Sequence, residues 1–97
     1  MPQITRRLTI HGRVQRVGFR WALRAQATAL GLCGWVRNRA DGSVEALLCG
    51  TPEAVDALTE WAWLGPSGAR VERVLVQDQP GELPPEMTSG FELRATF

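Results

Sequence analysis

The sequence predicts an α+β fold, a ferredoxin-like βαββαβ sandwich with an additional C-terminal strand, its mostly antiparallel sheet carrying two helices on one face. Two patterns predict it. Apolar residues alternate in period two in short segments and recur at helical spacing in two longer ones. Strand and helix signals then follow one another as strand, helix, strand, strand, helix, strand.

The first strand is expected at about Thr5 to Gly12, where Leu8 and Ile10 alternate with Thr9 and His11. Phe19, Leu23, Ala27 and Leu30 then recur at helical spacing, helped by Ala22, Ala25 and Ala29, and Gly31 is placed to end the helix in a left-handed cap. Cys33 to Asn38 reads as the second strand, Asp41-Gly42 as a hairpin turn, and Ser43 to Gly50 as the third strand. Thr51-Pro52-Glu53 opens a second helix with a hydroxyl cap, a proline at the first helical position and an acid in the first turn. Its buried stripe should hold Val55, Leu58 and Ala62 with Trp61 beside it, and Gly65-Pro66 ends it. Arg70 to Asp78 is the fourth strand, with Val74 and Val76 on one face; Gln79 to Gly90 is a proline-rich loop; and Phe91 to Phe97 alternates as a closing strand. Right-handed crossovers would set the first and second strands parallel, flanking each other.

At 97 residues the chain has room for one core, so a single domain over 1–97 is expected. The formal net charge is +1, and all eleven cations are arginine. Such balance argues against a general nucleic-acid binder. No apolar run approaches membrane-spanning length, and Met1 to Arg7 has no signal-peptide core. Cys33 and Cys49 lack metal-ligand spacing and read as free thiols, which points to a cytoplasmic setting. A monomer is expected. Of the four tryptophans, Trp35 and Trp61 fit core or core-edge positions, while Trp21 and Trp63 are candidates for partial exposure.

The segment from His11 to Arg20 carries the chemistry. A strand that stops at a loop with Gly12 and Gly18 and then enters a helix can aim several backbone N–H groups at one anion. Arg20 would lie in the first helical turn, where its charge opposes the helix dipole by roughly 0.3–1 kcal/mol, a conflict that a bound anion removes. Its guanidinium can take two phosphate oxygens while amides of Gln15 to Phe19 take the others. Asn38, at the end of the second strand, has a donor and an acceptor with which to hold a water against a phosphoryl group, although an asparagine there can equally satisfy turn backbone. His11 has no serine or cysteine partner and reads as a strand residue. No metal cluster and no Walker lysine exist, so neither metal nor cofactor is expected.

The segment Gly12-Arg13-Val14-Gln15-Arg16-Val17-Gly18-Phe19-Arg20 resembles the phosphate loop of the acylphosphatase family. The resemblance continues through Gly31-Leu32-Cys33-Gly34-Trp35-Val36-Arg37-Asn38, Asp41-Gly42-Ser43-Val44-Glu45, the stretch from Gly65 to Val74, and Phe91-Glu92-Leu93-Arg94. It implies metal-independent hydrolysis of acyl phosphates to carboxylate and inorganic phosphate. It further implies a phosphate cradle of Gln15, Arg16, Val17, Gly18, Phe19 and Arg20, with Arg20 and Asn38 as the catalytic pair and a small-molecule acyl phosphate as the partner. The chain departs from the family at Arg16, where glycine is usual. A left-handed backbone there would cost a non-glycine residue roughly 1–2 kcal/mol. The departure is open to three readings: a mobile loop that closes on phosphate, added attraction for the anion with a locally altered backbone, or a weakened enzyme. Two other functions compete. Arg16-Val17-Gly18-Phe19 superficially resembles an RNA-recognition motif, but that motif belongs on a central strand, not on a loop entering a helix. A phosphate-binding domain without turnover is the other.

Overall fold

The computed structural model describes residues 3–79 and 90–97. In chain order these form β1 (Ile4–Arg13), α1 (Phe19–Ala29), β2 (Cys33–Asn38), β3 (Val44–Gly50), α2 (Pro52–Leu64), β4 (Arg70–Gln79) and β5 (Phe91–Leu93). The helix boundaries follow local chemistry. Gly31 is left-handed at φ 73°, its N–H donates to Thr28 O, and the Leu32 N–H donates to Ala27 O, a Schellman closure of α1. At the start of α2 the Thr51 hydroxyl accepts from the Ala54 N–H at 3.2 Å, directly before Pro52.

The five strands lie in the order β4-β1-β3-β2-β5. β1 and β2 therefore do not flank each other as expected; β3 lies between them, antiparallel to both. The βαβ connection is long enough to skip one place, and the tight hairpin after Asn38 returns β3 into the gap. All seven residues of β3 are buried, as suits the central strand. β5 pairs parallel with β2 but ends at Leu93, four residues short of the predicted strand. Beyond it single bonds keep the chain beside β2, with Arg94 N–H donating to Val36 O and Phe97 N–H to Asn38 O. Of the predicted loop from Gln79 to Gly90, residues 80–89 lie outside the described residues.

Both helices cover one face. Leu23 and Ala27 of α1 and Val55, Leu58 and Ala62 of α2 pack on Leu8, Ile10, Ala46 and Leu48 of the sheet. Full burial of a leucine is worth about 1.5–3 kcal/mol, so this layer dominates stability. Val74 joins the core, whereas Val76 is 48% exposed, because β4 is the sheet edge and its cover is incomplete. The other face holds a smaller cluster of Trp35, Leu47 and Cys49, against which Cys33 packs. The two free cysteines stand directly opposite each other across β2 and β3. On the same face the Glu45 carboxylate is buried and accepts from Arg7 Nη1 at 2.8 Å and Arg37 Nε at 2.7 Å. The Arg37 guanidinium is stacked between the Trp35 and Phe97 rings, 4.6 and 4.1 Å from their centroids.

Candidate active site

Strand β1 stays paired with β4 through a register shift between His11 and Gly12. Gly12 has φ 127°, and a Cβ there would collide with the Arg70 carbonyl oxygen, so only glycine allows this approach. The chain then leaves the sheet at Val14 and turns through residues 15–18 into α1. Gly18 is the left-handed N-cap of α1. No side chain caps this end, and its first turn carries no acid. The helix therefore starts with N–H groups and the positive end of its dipole available to an anion.

At this end lies a cavity of about 230 Å³ lined by Val14, Arg16, Gly18, Phe19, Arg20, Trp21 and Asn38. The structure thus brings together five of the residues singled out from sequence: Arg16, Gly18, Phe19, Arg20 and Asn38. Arg20 is the second residue of α1, and its Nη1 donates to the Arg94 carbonyl at 3.4 Å, which ties the guanidinium to the chain after β5. Asn38 is the last residue of β2, opposite Val44. That opposition puts its side chain on the helix-bearing face of the sheet, beside the start of α1.

Gln15 and Val17 do not line the cavity. The Gln15 carboxamide instead donates to the carbonyl oxygens of Arg39 at 2.7 Å and Ser43 at 2.9 Å, lashing the loop to the β2–β3 hairpin that follows Asn38. Val17 is partly buried against the core. These contacts account for the proximity of loop and strand end better than the neighbouring strands first expected. The hairpin is itself braced: Asp41 Oδ1 accepts from the Ser43 hydroxyl at 2.6 Å and from its N–H at 2.9 Å, and these bonds hold the Asp41 carboxyl below the usual carboxylate range.

Arg16 is the one non-glycine residue with positive φ among the described residues, at 63°. The backbone keeps the left-handed conformation and does not relax around the arginine. Its side chain is exposed and takes no carboxylate partner among the described residues. Val14 and Trp21 complete the lining, a place the sequence reading gave to neither; Val14 is a core residue, while Trp21 is 63% exposed, in line with the partial exposure expected of it. Among the described residues no group of three or more His, Cys, Asp or Glu side chains could hold a metal ion, and no helix is long and apolar enough to cross a membrane.

The arrangement offers an anion two guanidinium groups, the start of a helix and one carboxamide, which suits phosphoryl chemistry that needs positioning and charge stabilisation more than a protein nucleophile. Comparisons with known proteins agree. The family model described as acylphosphatase matches residues 6–93. An acylphosphatase of Thiobacillus denitrificans is 54% identical over 91 residues, covering 94% of this chain and 97% of its own. Among solved structures, an acylphosphatase from Coxiella burnetii superposes with a TM-score of 0.87 at 37% identity, covering 95% of this chain and 93% of its own. The acylphosphatase from Bacillus subtilis does so with 0.87 at 32% identity, covering 94% and 98%. With the match spanning every strand and both helices, the chain belongs to the acylphosphatase family.

Proposed function

We propose that this chain hydrolyses acyl phosphates, carboxyl-phosphate mixed anhydrides, to carboxylate and inorganic phosphate at the cavity between the 15–20 loop and Asn38. Family membership supports the reaction, and the meeting of Arg16, Arg20 and Asn38 in one cavity carries the assignment of roles. The phosphoryl oxygens sit against Arg20 and the loop amides from Gln15 to Phe19, with Arg16 adding charge at the rim. The Asn38 carboxamide accepts a hydrogen bond from a water and donates one to a phosphoryl oxygen, holding the two in line. A bond forms from the water oxygen to phosphorus as the bond from phosphorus to the acyl oxygen breaks, and the water proton ends on the released phosphate. The leaving carboxylate is stable as an anion and needs no general acid, so no acid–base pair, metal or cofactor enters the scheme. Gln15 acts through the hairpin, holding the loop against the strand that presents Asn38. Residues 1–97 act as one catalytic domain. Near-neutral charge and free thiols support a cytoplasmic monomer that works on a small molecule and engages neither nucleic acid nor membrane.

The test is steady-state hydrolysis of acetyl phosphate by the wild type, Arg20→Ala and Asn38→Ala. Each variant should lose at least about 100-fold in kcat, as expected for removal of a charge-stabilising or nucleophile-orienting group, with an unchanged circular dichroism spectrum. Near-wild-type turnover in either variant would remove that residue from the mechanism.

A further inference from the structure

Cys33 and Cys49 play no part in the phosphoryl site, yet the fold sets them face to face. They are direct partners in the antiparallel pairing of β2 with β3, and Cys33 packs on the cluster of Trp35, Leu47 and Cys49 on the sheet face without helices. We propose that the two thiols are a reversible modification site. By exchange with a low-molecular-weight disulfide of the glutathione type they close into one intramolecular disulfide, which locks the β2–β3 hairpin and leaves catalysis intact.

Three observations carry it. Directly opposed residues of an antiparallel pair have Cα atoms about 4.5–5.5 Å apart, inside the span of about 4.4–6.8 Å that a disulfide bridges. The sulfurs can therefore meet without backbone movement, and the two thiols already act on each other: after burial, the Cys49 thiol is the neighbour that raises the Cys33 thiol above its ordinary value. Second, the pairing is out of pattern. Along this face β2 and β3 otherwise match unlike side chains, Trp35 with Leu47 and Arg37 with Glu45, whereas the cysteines are matched with each other. They are the chain's only two cysteines, so no third thiol competes for either. Third, access is unequal. Cys33 is partly exposed and Cys49 is 5% exposed, so a small disulfide meets Cys33 first.

The Cys33 thiolate attacks one sulfur of glutathione disulfide, whose S–S bond breaks, and one glutathione leaves as a thiolate that takes up the proton Cys33 gave up. The Cys49 thiolate then attacks Cys33 Sγ and expels the second glutathione, which is protonated in the same way. The protein loses two electrons and two protons, and one small disulfide becomes two thiols. The ring so closed runs from 33 to 49. It holds Asn38 together with Arg39 and Ser43, whose carbonyls anchor Gln15. Cross-linking this segment restricts the unfolded chain and so stabilises the arm that presents Asn38. The sulfurs lie at the other end of β2 from Asn38 and on the other face of the sheet, so the cavity keeps its shape.

The experiment incubates dilute wild type, Cys33→Ser and Cys49→Ser with glutathione disulfide and follows intact mass, free thiols, Tm and turnover of acetyl phosphate. The wild type should lose the mass of two hydrogens and both free thiols while remaining a single chain. Cys49→Ser should keep one glutathione on Cys33, and Cys33→Ser should take none. Oxidation should raise the Tm of the wild type by about 5–15 °C, reversed by dithiothreitol, with kcat/KM unchanged. Free thiols that persist in the wild type, a lasting glutathione adduct on it, a disulfide joining two chains, or an oxidised form that is no more stable or has lost turnover would each overturn the proposal. Mass, thiols and Tm are read without turnover, so failure there leaves the hydrolysis reading standing.

Discussion

Replacing Arg16 separates two effects that the fold superimposes on one residue. Its φ of 63° is left-handed, which costs an L-residue roughly 1–2 kcal/mol. Arg16→Gly removes that strain but gives the unfolded chain more freedom, returning about 0.4–1 kcal/mol. Because the side chain is exposed, little packing is lost, and a net gain of about 0.5–1 kcal/mol remains. For a domain of this size that raises Tm by about 2–8 °C. The same substitution removes a guanidinium from the rim of the cavity. A solvent-exposed charge pair is worth about 0.2–1 kcal/mol, so the inhibition constant of inorganic phosphate, competitive with substrate, should rise up to roughly five-fold. Arg16→Ala distinguishes the two contributions, since it keeps the β-carbon and the strain while losing the charge. It should match the glycine variant in phosphate inhibition and the wild type in Tm. Differential scanning calorimetry and inhibition kinetics on the three proteins give the answer. A lower Tm for Arg16→Gly, or equal phosphate inhibition in all three, would refute the reasoning.

Two further predictions concern what holds the site in place. Glu45→Ala strands Arg7 and Arg37 on the sheet face, where the carboxylate is 2% exposed, and should cost about 3 kcal/mol, lowering Tm by roughly 12–24 °C; a loss below about 1 kcal/mol in chemical denaturation would contradict the view of Glu45 as the anchor of that network. The Asp41 carboxyl is held below its ordinary value by the Ser43 hydroxyl and amide, so its contribution is present above the unfolded pKa and is lost as pH falls through the folded one. The urea midpoint of the wild type should exceed that of Asp41→Asn at about pH 6 and approach it at about pH 3, where a difference independent of pH would show that the charge plays no part.

Element order was legible because each boundary had its own local chemistry. Thr51-Pro52 begins α2, Gly31 closes α1 and Asp41-Gly42 turns the hairpin, and all three do so in the structure. The sheet order was not legible, since periodicity sets which face of a strand is buried and says nothing about which neighbour it meets; β3 came to lie between β1 and β2 through tertiary pairing. The alternation from Phe91 to Phe97 overstated β5, because pairing with β2 ends at Leu93. In the site, Arg20 and Asn38 stood out as residue types suited to a phosphoryl group, and the structure lines one cavity with both. The tie from Gln15 to the hairpin carbonyls left no trace in the sequence, because backbone acceptors have no side-chain signature. Trp21 was visible as an unusual residue, but its place beside the cavity depends on how α1 docks.

The central claim is attack by water on phosphorus, with Arg20 and Asn38 arranging the encounter. Hydrolysis of benzoyl phosphate in oxygen-18 water, in the presence of a metal chelator, tests it most directly. The account predicts one heavy oxygen in the released phosphate and none in the benzoate; heavy oxygen in the benzoate would place the attack at the carbonyl carbon and contradict it.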